Sequence, residues 1–255
     1  MESEILFQRI YNKAGLSAMS GYTDIDFCKK VAEEGAAWIT LGGFNIDERS
    51  QEAGVLVSKR RKHFTLTDIY SYLDEGIKIL KKFEIPIFIN VRGIDGEKLE
   101  KLSRFLIERG AYLELNAHCR QPEYKKLGLG QELLKKPQLL KGILDRIKKR
   151  TGMPAILKAR ANVVPSKDLC NISKLCDILH LDAMLPGENK ADLNIISEIK
   201  STNPDTFLIG NNSITDLKKA IEMRKAGADA VSIARAALKN PSLVGEISKG
   251  LSEGI

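Results

Sequence analysis

Eight short apolar runs, each followed by an amphipathic stretch of helical period, predict a (β/α)8 TIM barrel, of class α/β, from this 255-residue chain. Two further observations point the same way. Glycines punctuate the helix-to-strand joints, and polar residues recur at the C-terminal ends of the strands, the face where such barrels build their sites. The competing architecture is an open doubly wound sheet, and it lacks a G-x-G-x-x-G after the first strand. No Pro/Gly/Ser linker divides the chain, so residues 1–255 are expected to form a single domain.

The first strand is expected over Ala14–Met19, and its helix over Ile25–Glu34, capped by Thr23-Asp24 and ended by Gly35-Ala36. Trp38–Leu41 forms the second strand, answered by a helix over Asp68–Phe83. Ile85–Val91 is the third, with a helix over Gly96–Arg109 that Gly110-Ala111 closes. The fourth is Ala111–Leu115, followed by a long helical pattern over Gln131–Arg150. Ala155–Ala159 precedes a helix over Asp168–Leu175, with Ser166 as a cap, and Ile178–Leu181 precedes Ala191–Lys200. Thr206–Gly210 precedes Thr215–Ala226, which Thr215-Asp216 starts and Gly227-Ala228 ends. Ala230–Ile233 and Pro241–Leu251 complete the series. Two connections are longer than a barrel requires, Gly42 to Thr67 and Asn116 to Gly130. Both leave C-terminal strand ends, so both are expected to cover a ligand.

Hydrophobic residues make up 43% of the chain and charged ones 29%, the profile of a soluble globular protein with a sizeable core. No apolar run approaches bilayer length, which argues against a membrane partner. Cys28, Cys119, Cys170 and Cys176 share no C-x-x-C spacing, and no signal peptide is recognised. A reducing, cytoplasmic setting is expected, with neither a disulfide framework nor a metal site. The formal charge of +7 is carried partly in blocks such as Lys59-Arg60-Arg61-Lys62 and Lys148-Lys149-Arg150. Such blocks form either a phosphate-binding face or a solvated surface, and charge alone favours the second.

The most informative stretch is Glu114 to Pro122. A short strand delivers the Asn116 amide, the His118 imidazole and the Cys119 thiol within four residues. A cysteine at a strand's C-terminal end, among polar groups, is a better candidate for chemistry than the others, which read as small buried hydrophobes. Ser17 to Gly21, Asn90 and Arg92, Lys158 and Arg160, His180 and Asp182, Asn211 and Asn212, and Ser232 and Arg235 end the other strands. Singly, each satisfies loop backbone well enough; together they converge on one mouth and favour a polar ligand. Lys158 and Arg160 lie two apart and so share a face, and a buried lysine needs an anionic or carbonyl-rich partner. Gly210-Asn211-Asn212-Ser213 and Ile233-Ala234-Arg235-Ala236 leave the last two strands, where barrels often bind phosphate. His63 lies in a basic run and is expected to be exposed.

These residues carry a resemblance. Ala18-Met19-Ser20-Gly21-Tyr22-Thr23-Asp24 resembles the "PMAGVTD" opening of the tRNA-dihydrouridine synthases, and Asn116-Ala117-His118-Cys119 resembles their "N-x-G-C-P". Gly128 to Pro137 is similar to "G-x-G-x-x-L-L-x-x-P", and Leu157-Lys158-Ala159-Arg160 to "V-K-x-R". Leu179-His180, Ile209-Gly210-Asn211-Asn212 and Ile233 to Pro241 resemble "V-H-G-R", "x-x-N-G-D" and "I-G-R-G-A-x-x-N-P". The resemblance implies FMN at the barrel mouth, NAD(P)H as electron donor, and uridine in tRNA as substrate. It makes Cys119 the catalytic acid and gives Asn116, His118 and Arg160 to the substrate. It gives Met19, Ser20, Asn90, Lys158, His180, Asn211, Asn212, Ala234 and Arg235 to the cofactor. A free thiol is mostly protonated at neutral pH and so can serve as an acid.

The sequence also departs from the family. His118 stands for the glycine and Arg120 for the proline around Cys119, Asp182 for the arginine of "H-G-R", and Asn212 and Ser213 for the glycine and aspartate of "N-G-D". A histidine beside a cysteine also suits a thiolate nucleophile. The resemblance further implies a C-terminal helical domain that grips tRNA. The sequence stops almost directly after the eighth helix, so no separate C-terminal RNA-binding domain is expected. Three readings follow. The first is an FMN-dependent synthase acting on uridine in RNA. The second is an FMN-dependent reductase or dehydrogenase of a small pyrimidine, similar to dihydroorotate dehydrogenase. The third is a non-catalytic barrel that has lost flavin.

Overall fold

Alternation of β-forming and helix-forming stretches produces a parallel sheet of eight strands wrapped by helices. The computed structural model describes residues 2–254. The strands are β1 (Ala14–Leu16), β2 (Ile39–Asn45), β3 (Ile87–Arg92), β4 (Tyr112–Ala117), β5 (Ile156–Arg160), β6 (Ile178–Asp182), β7 (Phe207–Asn211) and β8 (Ala230–Ile233). They pair in the order β1-β8-β7-β6-β5-β4-β3-β2. The last seam is bridged from Ala37 N–H to the Ala14 carbonyl (2.9 Å) and from Leu16 N–H to the Trp38 carbonyl (3.0 Å), so the barrel is nearly closed. This is the (β/α)8 barrel that the sequence predicts.

In chain order the helices are α1 (Glu2–Ile10), α2 (Ile25–Glu33), α3 (Glu48–Ser58), α4 (Ile69–Leu80), α5 (Gly96–Ile107) and α6 (Pro122–Lys126). Then come α7 (Pro137–Thr151), α8 (Ser166–Ser173), α9 (Leu193–Thr202), α10 (Leu217–Lys225), α11 (Arg235–Lys239) and α12 (Leu243–Glu253). Aspartate side chains accept from first-turn amides at the starts of α2, α3, α4, α5, α9 and α10, through Asp24, Asp47, Asp68, Asp95, Asp192 and Asp216. Ser166 is instead the first residue of α8, and Pro165 occupies the cap position without a side-chain bond. Gly35, Gly110 and Gly227 take the left-handed backbone that ends a helix before a strand, as expected.

The interior of the barrel is layered, because inward side chains recur every second residue. Its N-terminal end is apolar. Trp38, Phe88, Ile156, Ile178, Phe207, Ile209 and Ala230 pack there against Leu6 and Ile10 of α1. The Phe7 and Phe207 rings stack with centroids 4.7 Å apart. A β-carbon on Gly15 would lie 2.1 Å from the Trp38 ring, so glycine makes room for the indole. The sequence reading assigned no element to residues 2–10; α1 is a plug that closes the bottom of the barrel.

Toward the C-terminal end the inward positions turn polar. Lys158 pairs in register with His180, Arg160 with Asp182, Asn116 with Lys158, and Asn90 with Glu114. β1 is shorter than expected, because Met19 turns the chain by accepting from the amides of Tyr22 (2.9 Å) and Thr23 (3.0 Å). β2 is longer, because it follows β3 past a bulge at Gly42/Phe44 to pair Asn45 with Arg92. The two long connections hold α3 and α6. These helices pack on each other through Ala53, Val57, Tyr124 and Leu129, a small core of their own against which Cys119 rests.

Candidate functional site

Glu114 is the hub of the mouth. It is fully buried, and its two oxygens gather a chain of donors. Asn116 Nδ2 donates to Asn90 Oδ1 (2.8 Å), and Asn90 Nδ2 donates to Glu114 Oε1 (2.7 Å). From the other side Asn211 Nδ2 reaches Ser232 Oγ (2.9 Å), Ser232 lies 2.5 Å from His180 Nε2, and His180 Nδ1 lies 2.5 Å from Glu114 Oε2. One proton arrangement satisfies every member: the serine hydroxyl donates to Nε2, and Nδ1–H donates to the carboxylate. Burial and then the nearby Lys158 hold His180 down to about 4, so it is neutral at pH 7. Burial pushes Glu114 up, but His180, Lys158 and the Asn90 amide outweigh it and keep the group ionised.

Lys158 is 2% exposed, and it donates to Ser17 Oγ at 3.1 Å. Burial lowers it to about 8, while Glu114 and Asp182 act to hold its charge. A second cluster caps this layer. Asp182 Oδ2 lies 2.6 Å from His118 Nε2 and forms an ion pair with Arg160 Nη2 at 2.8 Å, and Oδ1 accepts from Asn212 Nδ2 (2.6 Å). Burial opposes ionisation of Asp182, but His118, Arg160 and Asn212 hold it well below the usual carboxylate range. Burial lowers His118, and Asp182 partly offsets that. Among the described residues, Arg160 Nε is buried without a hydrogen-bond partner.

Asn116 fixes the reactive loop. Its Oδ1 accepts from the backbone amides of both His118 (3.0 Å) and Cys119 (2.9 Å), and the Cys119 carbonyl accepts from Gln131 N–H (3.0 Å). Gly130 has φ 61°, and a β-carbon there would lie 2.3 Å from the Cys119 carbonyl oxygen, so the loop can close only over glycine. The Cys119 thiol is thereby held half-buried at the rim.

The structure brings together Asn90, Asn116, His118, Cys119, Lys158, Arg160, His180, Asn211 and Asn212, all named from the sequence. Met19 and Ser20 border the same opening, half-buried. Asn212 (φ 113°) and Ser213 (φ 53°) take backbone angles typical of glycine, which shapes the β7 loop as a tight turn. Ala234 is the cap residue before α11, and Arg235, the first residue of that helix, is exposed. Both ring nitrogens of His180 are engaged by protein, so it acts on the mouth through Glu114 and Ser232. The sequence reading passed over Glu114 as a site residue. Its position two before Asn116 in a strand, and so on the same face, was the available signal. His63, expected to be exposed, is half-buried: Nδ1 lies 3.0 Å from Ser20 Oγ and Nε2 2.5 Å from Tyr124 Oη. The loop bearing its basic run folds down over the mouth.

The family model described as dihydrouridine synthase (Dus) matches residues 71–255. An uncharacterized protein of Methanocaldococcus jannaschii is 36% identical over 249 residues, covering 94% of this chain and 95% of the relative. The tRNA-dihydrouridine synthase B of Pectobacterium carotovorum is 30% identical over 176 residues, 65% of this chain and 55% of that protein. The match therefore spans about half of the synthase. The catalytic subunit of dihydroorotate dehydrogenase B (NAD(+)) of Lachnoclostridium phytofermentans is 24% identical over 208 residues, 71% of this chain and 68% of that protein.

Proposed function

The chain belongs to the dihydrouridine synthase family, and from that premise we propose that it is an FMN-dependent oxidoreductase acting on uridine in RNA. NAD(P)H is the electron donor in this reading, tRNA the substrate, and Cys119 the proton donor.

The residues of the mouth fit a flavin. Lys158 presents an ammonium with one protein acceptor among the described residues, suited to the carbonyl edge of the ring. The left-handed turn at Asn212 and Ser213 would offer donors to a phosphate, while Arg160 Nε, buried without a partner among the described residues, is left for the pyrimidine. Met19, Ser20 and Asn90 would line the ring, with Asn211, Asn212, Ala234 and Arg235 around the phosphate.

When bound, the flavin supplies hydride chemistry. The chain's own part is orientation and a proton. Asn116 clamps the His118–Cys119 backbone and so fixes where the thiol points. Glu114, bonded to Asn90 and His180, keeps the floor of the mouth rigid. Cys119 would give its thiol proton to one carbon of the uracil C=C bond, from the opposite face of the ring, as the other carbon takes hydride from the flavin. His118, Asn116 and Arg160 flank the pyrimidine.

The observation that carries this reading is the Asn116 clamp, which sets a half-buried cysteine at the mouth just past the strand position that pairs with the buried Lys158. The test is dihydrouridine formation on unmodified tRNA. Cys119→Ala should lower it by at least about 100-fold, the scale of a lost general acid, while NAD(P)H still reduces the bound flavin. An undiminished rate would refute the role of Cys119. A second reading keeps the flavin but takes a small pyrimidine as substrate. The similarity to the dihydroorotate dehydrogenase subunit favours it, and turnover of free dihydroorotate or uracil with no activity on tRNA would establish it.

A further inference from the structure

Arg92, at the end of β3, is a buried cation without a counter-ion. It is 2% exposed, and all its partners among the described residues are neutral. Nε donates to Asn45 Oδ1 (2.9 Å), and Nη2 donates to Ser20 Oγ (3.2 Å) and to the Gly43 carbonyl. Nη2 also lies 3.1 Å from His63 Nε2, and the guanidinium sits over the Tyr124 ring, 4.6 Å from its centroid. Nη1 has no acceptor among the described residues. The other inward cations differ. Arg160 pairs with Asp182 at 2.8 Å, and Lys158 faces Glu114 and Asp182.

The surroundings add positive charge. His63 is neutral: burial, then Arg92 and Arg61, hold it down to about 3. Glu123 opposes them but is paired with Arg60 at 2.8 Å, so Arg92 and Arg61 leave the cluster net positive. An unpaired buried charge is costly, and a guanidinium with one unbonded nitrogen, Nη1, can donate a charge-assisted hydrogen bond to phosphate. Access is available, since Met19, Ser20, His63 and Cys119 around the cluster are all half-buried. Tyr124 links this place to the reactive loop: it carries Arg92 on its ring face and belongs to the small core against which Cys119 rests.

We propose that Arg92, with Ser20 and His63, forms a phosphate subsite that holds the phosphoryl group of the nucleotide presented to Cys119. The anion site stands on the geometry alone; its assignment to the substrate nucleotide rests on the reading of the mouth given above. A phosphate on the dinucleotide reductant is the other possible source, and the experiment separates the two.

The experiment is calorimetric titration of the intact chain with inorganic phosphate, uridine, uridine 5′-monophosphate and 2′,5′-ADP. The nucleotide should bind at least about 10-fold tighter than the nucleoside, the scale of one charge-assisted phosphate contact. Inorganic phosphate should abolish that gain, and Arg92→Gln should bind nucleotide and nucleoside alike. If Arg92→Gln does not fold, Arg92→Lys, which lacks the fork, should cut the gain to no more than a few-fold. Equal affinities in the unmodified protein, or a gain undiminished in either variant, would overturn the subsite. An Arg92-dependent gain for 2′,5′-ADP and not for the uridine nucleotide would overturn the assignment to substrate. Arg92-dependent phosphate binding without uridine binding would support the subsite and count against the uridine reading alone.

Discussion

Lys158 shows how one buried side chain ties stability to pH. Its ammonium titrates near 10.5 in a flexible chain and at about 8 in the folded barrel, where burial is the chief cause. Between those values the unfolded state binds more protons, so this group makes stability rise with pH across the window. Below about pH 8 the folded protein carries the buried charge in full. Relative to Lys158→Met, the protein should therefore gain about 2 kcal/mol in urea unfolding between pH 7 and 9.5. A parallel pH response in the two proteins would contradict a charged, buried Lys158. The residue was legible in the sequence, because Lys158 and Arg160 two apart on a strand must share the inward face. Glu114 and Asp182, the carboxylates that accompany them, were legible by the same period. A sequence does not say which inward polar groups will meet across the barrel, since that is set by the register between strands.

Among the elements, α3 and α6 make the cap, and Gly54 is the tightest point within it. A glycine-to-alanine change inside a helix usually stabilises by about 1 kcal/mol. At Gly54 the added β-carbon would lie 2.3 Å from Asn45 Nδ2 and 3.2 Å from the Tyr124 hydroxyl. Asn45 cannot easily yield, because its Oδ1 accepts from both Arg92 and Tyr124. Gly54→Ala should thus destabilise by about 1–3 kcal/mol, the range for overpacking, in chemical denaturation. Stabilisation would mean that the cap is looser than described. The sequence predicted that the two long connections cover the mouth but not that they contain helices. α6 is a single short turn, and α3 is set by Asp47, whose carboxylate meets the Ser50 amide (2.8 Å) and, across the fold, the Ile94 amide (2.6 Å). α1 was missed for a similar reason, since its apolar residues gain meaning only from the barrel end they plug.

For the whole molecule, the pattern of eight strands and eight helices was legible because each unit is local and repeated. The site was legible where a strand's C-terminal end put a polar residue in an apolar setting. The Asn116 clamp, the Glu114 hub and the uncompensated Arg92 are products of closure, which joins residues far apart in the chain. In the proposed function this mouth binds FMN and takes electrons from NAD(P)H. The most direct test is the visible absorption spectrum of the freshly purified protein, with FMN added to any colourless sample and NAD(P)H added last without oxygen. Stoichiometric flavin, whose oxidised absorption bleaches with the nicotinamide, is the expected result. A colourless protein that ignores added FMN would contradict it and leave a non-catalytic barrel in its place.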